Sequence, residues 1–366
     1  MMPASSFYFM RNVCCQNWFA GCVFIFCLAM KASAQPDIDG NPGSDAFIKI
    51  PADTDDWTRH FHIGALIGMN ISASFNEKGP FTIPGKNLAN GIYDDGYVRE
   101  DNTGNAFGHT GFFGYNNASQ YDSSANTLTF HSTTGYSLNG SGSSKEDGGP
   151  FPGFEMVYGD NLWYWKHARV GWEAGFGLLP INITSSRSIS ATVSESSFTY
   201  DTTGVIIPES PYQGGFNRQG EPTIPSTHSA TSTGDSFTGN IISTRTLDVM
   251  LYTLRLGPTF YWDLGEHVGM SLGAGPAIGF VSGDYSYHEI IPATLAKNSG
   301  SFGATDVTFG GYVNGTVLYH VDDNADIFAG VQFMPMSDAT FSGAGREGQL
   351  NLGGQLYFSI GVNWPF

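Results

Sequence analysis

The sequence predicts an all-β fold, an antiparallel up-and-down transmembrane β-barrel of eight strands with long extracellular loops. Three observations predict it. Apolar residues alternate with small or polar ones at period two over segments longer than the five or six residues usual in soluble strands. No apolar run after residue 34 approaches the roughly 20 residues of a helical membrane span. The connections alternate between long and short. Composition agrees: charged residues make up 13% of the chain, against roughly 25% in globular proteins. Mean hydropathy is slightly negative, as expected where hydrophobicity is carried by alternation.

The N-terminus is set aside first. Arg11 precedes an apolar run from Trp18 to Met30, and Ala32-Ser33-Ala34 precedes Gln35. A charge, a short apolar stretch and a small-residue site make residues 1–34 a secretory signal peptide cleaved near Ala34. Phe19-Ala20-Gly21-Cys22 faintly resembles a lipoprotein cleavage box, but the apolar run continues after Cys22 instead of ending before it. All four cysteines (Cys14, Cys15, Cys22, Cys27) lie inside the peptide, so the mature chain carries neither disulfide nor thiolate metal site. Cleavage also removes Arg11 and Lys31, taking the net charge from −17 to −19. That acidity argues against nucleic acid as a partner. Residues 35–58, with Pro36, Pro42 and Pro51, read as a flexible periplasmic lead, and 59–366 as the barrel.

Segment one places Phe61, Ile63, Ala65, Ile67, Met69, Ile71, Ala73 and Phe75 on one face. Segment two (about 152–162) carries Phe154, Met156, Tyr158 and Leu162, and segment three (about 168–183) sets Val170, Trp172, Phe176 and Leu178 against Arg169, Glu173 and glycines. Segment four (about 246–264) sets Met250, Tyr252, Leu254, Leu256, Phe260, Trp262 and Leu264 against Arg255, Gly257 and Thr259. Segments five (about 267–287), six (about 303–320) and seven (about 326–341) continue the pattern. Segment eight runs from about 349 to the end, with Leu350, Leu352, Leu356, Phe358, Ile360, Val362, Trp364 and Phe366 on one face.

Long connections follow segments one (76–151) and three (184–244), and about 15 residues follow segment five. The intervening turns are short, the arrangement of extracellular loops and periplasmic turns. Trp57, Trp163, Trp165, Trp262 and Trp364 fall beside expected periplasmic ends, where an interfacial ring finds apolar contact and a partner for its N–H. Phe366 closes the same interfacial set.

The terminal Leu356-Tyr357-Phe358-Ser359-Ile360-Gly361-Val362-Asn363-Trp364-Pro365-Phe366 resembles the assembly signal of bacterial outer-membrane proteins, with Pro365 departing from the common pattern. Residues 59–366 as a whole resemble the eight-stranded barrels typified by the transmembrane domain of outer membrane protein A. The first loop, Asp94-Asp95-Gly96-Tyr97-Val98 through Gly111-Phe112-Phe113-Gly114-Tyr115 to Gln120-Tyr121-Asp122, looks like a stretch of uncharacterised barrel proteins. The resemblance implies an outer-membrane location, lipid and lipopolysaccharide as surroundings, and recognition of the last strand by the barrel-assembly machinery.

Glu155, Glu173, Arg169 and Arg255 fall on the non-lipid face and are expected to form a luminal ion-pair network; a gated path is the competing reading. His60, His62, His167, His267 and His320 sit near the periplasmic rim. His60 and His62 share a face that could ligate a metal, but no third ligand stands at a defined spacing, so neither metal nor cofactor is expected. Asp94, Asp95, Glu100, Asp101 and Asp122 lack Ca²⁺-loop spacing and read as solvated acids. Phe107, Phe112, Phe113, Tyr115 and Tyr121 read as a small core holding the first loop over the barrel mouth, or else a contact patch. The Ser/Thr-rich 184–244 reads as mobile. No G-x-S-x-G, P-loop or H-E-x-x-H is present. The expectation is a non-enzymatic integral barrel with a structural, adhesive or ligand-contact role and an unnamed surface ligand. A small-solute porin-like channel is the alternative, and a barrel-embedded lipid-modifying enzyme ranks below it.

Overall fold

The structure is a computed structural model that describes residues 59–83, 90–100, 108–140, 142–165, 168–216, 220–322 and 325–365. The signal peptide, the lead, Trp57, Asp101, Phe107, His167 and Phe366 lie outside the described residues.

Eight antiparallel strands close into a ring. They are β1 (Arg59–Met69), β2 (Phe151–Trp165), β3 (Ala168–Asp201), β4 (Ala230–Asp263), β5 (Val268–Ile291), β6 (Ala296–Asp322), β7 (Ala325–Phe333) and β8 (Leu356–Pro365). Each pairs with its neighbour in sequence, and β8 returns to β1, where Ile63 lies opposite both Met156 and Val362. Closure pairs each of the eight strands on both sides, so the backbone groups of the paired segments satisfy one another inside the wall. Among the described residues no helix is long and apolar enough to cross a membrane.

The wall is uneven in height. β7 has 9 residues and β8 has 10, whereas β3 and β4 have 34 each. The outward face shows where the bilayer stops. On β3 it reads Trp172, Ala174, Phe176, Leu178 and then Asn182, Thr184, Ser186. On β5 it reads Leu272, Ile278, Phe280 and then Ser282, Asp284, Ser286. Asp248 and Asp284 are exposed cross-strand neighbours, and above them Thr184 and Thr246 share a hydrogen bond of 3.0 Å on the exposed face. Beyond Leu178, β3 continues for roughly 75 Å of strand at about 3.4 Å per residue.

This corrects the reading of 184–244 as a mobile loop. Its serines and threonines extend the β3–β4 ladder to Thr199 opposite Ala230, with one register shift between Glu195 and Ser196. Low hydrophobicity there reflects a solvated outer face, while Ile189, Ala191, Val193 and Ile241 supply a buried inner one. The connection after β5 shrinks likewise, from about 15 residues to the turn 292–295.

The tops of the short strands are corrected too. The alternation of segment one reverses at Asn70, whose φ of 58° is the left-handed region that asparagine tolerates better than most residues. Below it Ile67 and Met69 are exposed; above it Ile71, Ala73 and Phe75 are buried. Leu350 and Leu352 are fully buried, whereas Phe358, Ile360 and Trp364 of the same alternation point outward. Ala339 and Phe341 turn inward as well. Strands Ala339–Gly343, Arg346–Asn351, Ser72–Glu77 and Ser144–Asp147 thereby form a separate four-stranded inner sheet. Its hairpin turns through Ala344 and Gly345, both at positive φ, as a tight two-residue turn requires.

The inner sheet packs on the tall wall. Phe75, Phe341, Leu350 and Leu352 share one core with Leu179, Ile181, Leu247, Val249, Val281 and Tyr285. A buried ion pair pins it from above. Arg346 Nη2 lies 2.6 Å from Glu289 Oε2 on β5, its guanidinium is 3.7 Å from the Tyr287 ring, and Tyr136 donates to Glu289. Burial opposes the arginine charge most, but the Glu289 hydrogen bonds and its negative charge together outweigh it and raise the Arg346 pKa.

At the far end of the wall a second core gathers Tyr93, Val98, Phe113, Tyr115, Leu128, Phe130, Phe198 and Tyr200. Phe113, Tyr115 and Tyr121 therefore pack in a loop core, whereas Phe112 is only partly buried and meets Arg99. Three of the acids are not merely solvated. Asp94 accepts from the Thr133 N–H, Asp95 from His131, and Asp122 from the N–H groups of Ser124 and Ala125.

Two predictions follow from these contacts. Glu289→Ala strands Arg346 in a buried site and should lower unfolding free energy by about 3–5 kcal/mol in urea titrations of the refolded protein. The His131–Asp95 bond of 2.7 Å raises the His131 pKa, chiefly by that hydrogen bond. Its stabilisation is complete below the unfolded histidine value near 6.5 and is lost as pH rises through the higher folded value. Protease nicking of 90–100 should therefore be slower at pH 6 than at pH 8.5.

Candidate functional site in the barrel lumen

Even positions of β1 and odd positions of β3 and β4 face inward, so period two decides what lines the lumen. From the short-turn end the barrel opens as a cavity of about 610 Å³, with His60, Arg169, Tyr261, Asp263, His320 and Asp326 in its lining. Charges there are matched: Arg169 Nη2 lies 2.8 Å from Asp263 Oδ1, and His320 Nδ1 lies 2.6 Å from Asp326 Oδ1. Asn363 donates to the other Asp326 oxygen. Trp163, Trp165, Trp262 and Trp364 all lie toward this end, in register with the first residues of β1 and β3.

The cavity ends on a buried cluster. Tyr261 donates its hydroxyl proton to Glu173 Oε1 at 2.6 Å, and the Tyr261 hydroxyl oxygen lies 2.7 Å from His60 Nε2. Having spent its one proton on Glu173, the hydroxyl can only accept from His60, which fixes that imidazole as the Nε2–H tautomer. His60 Nε2 and Glu173 Oε1 are 3.4 Å apart, and the His60 and His62 rings are 5.0 Å apart. A glycine makes the approach possible. His60 pairs with Gly159, and Gly159 pairs with Glu173 on the next strand. A Cβ on Gly159 would sit 2.4 Å from His60 Nε2. Two polar atoms are left over, since His62 Nε2 and Glu173 Oε2 are buried without a hydrogen-bond partner.

Above this cluster Arg255 Nη2 lies 3.3 Å from Glu155 Oε2, and its guanidinium stands 5.4 Å from the Tyr312 ring. Gly175 gives Arg255 its space, because a Cβ there would lie 2.4 Å from Nε. Leu66, Leu179, Leu251, Tyr312, Met334, Met336 and Tyr357 then belong to the core shared with the inner sheet.

Glu155, Glu173, Arg169 and Arg255 are thus not one network. Glu155 pairs with Arg255, Glu173 joins Tyr261 and His60, and Arg169 pairs with Asp263 nearer the rim. Arg169 is four residues before Glu173, roughly 14 Å along the strand, and touches the buried layer only through its guanidinium, 5.8 Å from the Tyr261 ring. Sequence reasoning missed Tyr261 and the meeting of Glu173 with the two histidines. The available signal was Gly159, which alignment of three adjacent strands would place between them.

No protein-family model matches the chain, and no curated protein matches it. Among solved structures it is similar to the outer membrane protease OmpT from Escherichia coli (10% identity, TM-score 0.31, covering 87% of this chain and 99% of that one). It is similar also to the outer membrane protein OprG from Pseudomonas aeruginosa (8% identity, TM-score 0.29, 83% and 96%). A third is Ail, the attachment invasion locus protein of Yersinia pestis (10% identity, TM-score 0.24, 83% and 98%). The chain itself, by its closed ring and apolar belt, is a transmembrane β-barrel of the outer-membrane type.

Arg255→Ala leaves Glu155 buried without its cation and should cost about 3–5 kcal/mol of barrel stability. Arg169→Ala, at the wet rim, should cost about 1 kcal/mol or less. The two unfolding midpoints, measured side by side, check the separation.

Proposed function

We propose that this protein is an integral barrel of a bacterial outer membrane that anchors and presents a β-structured extension at the cell surface, in a structural, adhesive or ligand-contact role. The observation that carries the reading is the fate of the lumen, whose upper half is occupied by the inner sheet and its apolar core. The tall wall of β3 to β6 supports it further, since strands that run far past the apolar belt serve no purpose in spanning the bilayer. On this reading the short turns face the periplasm and the aromatic-cored loops face outward. The belt contacts lipid and lipopolysaccharide, and β8 is the strand the assembly machinery reads.

A solute channel draws on the cavity of about 610 Å³, but a solute entering there meets packed leucine, methionine and tyrosine. In planar bilayers the reconstituted protein should give no steady conductance. Stable channels whose conductance scales with salt would contradict the proposal and restore the porin-like reading.

A further inference from the structure

We propose that His60, His62 and Glu173 form a binding site for one divalent transition-metal ion of the zinc class at the inner end of the periplasmic cavity. This goes beyond the presentation role and is independent of it. Three side chains offer one ligand atom each, all within 4.8 Å of one another, and all three residues are buried. Two imidazoles and a carboxylate are a set that zinc-class ions take with an open fourth position.

The spacing is nearly that of a bound ion. Ligand bonds of about 2.0–2.1 Å at tetrahedral angles separate ligand atoms by about 3.3 Å. His60 Nε2 and Glu173 Oε1 already stand 3.4 Å apart. The ligand atoms lie within 4.8 Å of one another, so His62 must close by up to about 1.5 Å, within the reach of a χ change, to bring its ring nitrogen to the same point.

Leftover valence points the same way. A buried imidazole nitrogen and a buried carboxylate oxygen without partners are costly in a packed lumen. Here both belong to one cluster, His62 Nε2 and Glu173 Oε2. Arg255 is paired with Glu155 and Arg169 with Asp263, and orphaned luminal atoms such as Arg255 Nε and Thr259 Oγ1 are a donor and a hydroxyl, not a matched set of ligand atoms. An ion would take up His62 Nε2 and neutralise Glu173, and besides the approach of His62 it needs one tautomer change. The His60 proton that Tyr261 now accepts would shift to Nδ1, freeing Nε2 as a ligand atom. Tyr261 keeps its proton and its bond to Glu173, and so acts as an outer partner that aims the carboxylate. Entry is available, because His60 and Tyr261 line the open cavity.

The test uses the chain from Gln35 to Phe366 refolded in detergent micelles, stripped with chelator, and titrated with Zn²⁺ by calorimetry and with Co²⁺ by visible absorption. The expected result is one equivalent per chain, with the intense cobalt bands of four- or five-coordinate geometry. Affinity should fall at least tenfold in His62→Gln and in Glu173→Gln, and should be unchanged in His267→Ala and His320→Ala at the rim. Absence of saturable binding by the wild type would overturn the site. So would binding that survives both ligand substitutions, or that vanishes with the rim histidines. Where a ligand variant fails to fold by circular dichroism, the wild-type cobalt spectrum decides, and the pale bands of an octahedral aquo-type ion count against the proposal.

Discussion

A backbone placed in hydrocarbon must satisfy its own hydrogen bonds, and every feature of this molecule is arranged around that requirement. The β1–β8 pairing meets it by closing the ring. Closure then fixes two environments on either side of one wall: outside must match lipid, and inside is free to carry charge. Leu256, Phe260, Leu272, Val317 and Ile360 face out; His62, Glu155, Glu173 and Tyr261 face in. Because side chains alternate at period two, the two environments are written in the same eight strands.

The requirement ends where the bilayer ends, and the strands change character there. On the tall side the ladder continues but the outer face becomes serine, threonine and aspartate. On the short side the chain turns at Asn70 and again after Phe333, and residues that continue an outward alternation become inward ones. Phe75, Phe341, Leu350 and Leu352 then do for the mouth of the barrel what a soluble core does for a globular domain. The lumen is thus graded, from an open cavity lined by partly buried ion pairs, through a buried histidine–glutamate–tyrosine layer and the Arg255–Glu155 pair, to a closed apolar region. That gradient favours a site open at one end only over a path across the membrane.

Much of the barrel was legible in the sequence because alternation and turn spacing are local. All eight transmembrane segments can be read from strings such as Val170-Gly171-Trp172-Glu173-Ala174-Gly175-Phe176. The reversal at Asn70 was not, since a single left-handed residue changes which face is buried without disturbing the pattern of letters. The extension of β3 and β4 was hidden for a different reason: an outer face bathed in water looks like a loop when its buried apolar neighbours are as sparse as Ile189, Ala191, Val193 and Ile241. In the lumen, the inward orientation of Glu155, Glu173 and Arg255 follows from parity, but their partners depend on register across strands. His60 meets Glu173 only because Gly159 stands between them, and no spacing along one strand reveals that.

The central claim is that one apolar alternation in the C-terminal region serves two surroundings, lipid below and a protein core above. Single cysteines introduced at Leu350 and at Ile360 test it directly, since a chain starting at Gln35 has no other thiol. In proteoliposomes, a lipid-soluble maleimide should label the Ile360→Cys protein readily and leave Leu350→Cys unreactive until the protein is unfolded. Equal labelling of both positions by the lipid-soluble reagent would mean that the strand continues through the bilayer with Leu350 facing lipid, and the account of a sheet closing the lumen would be wrong.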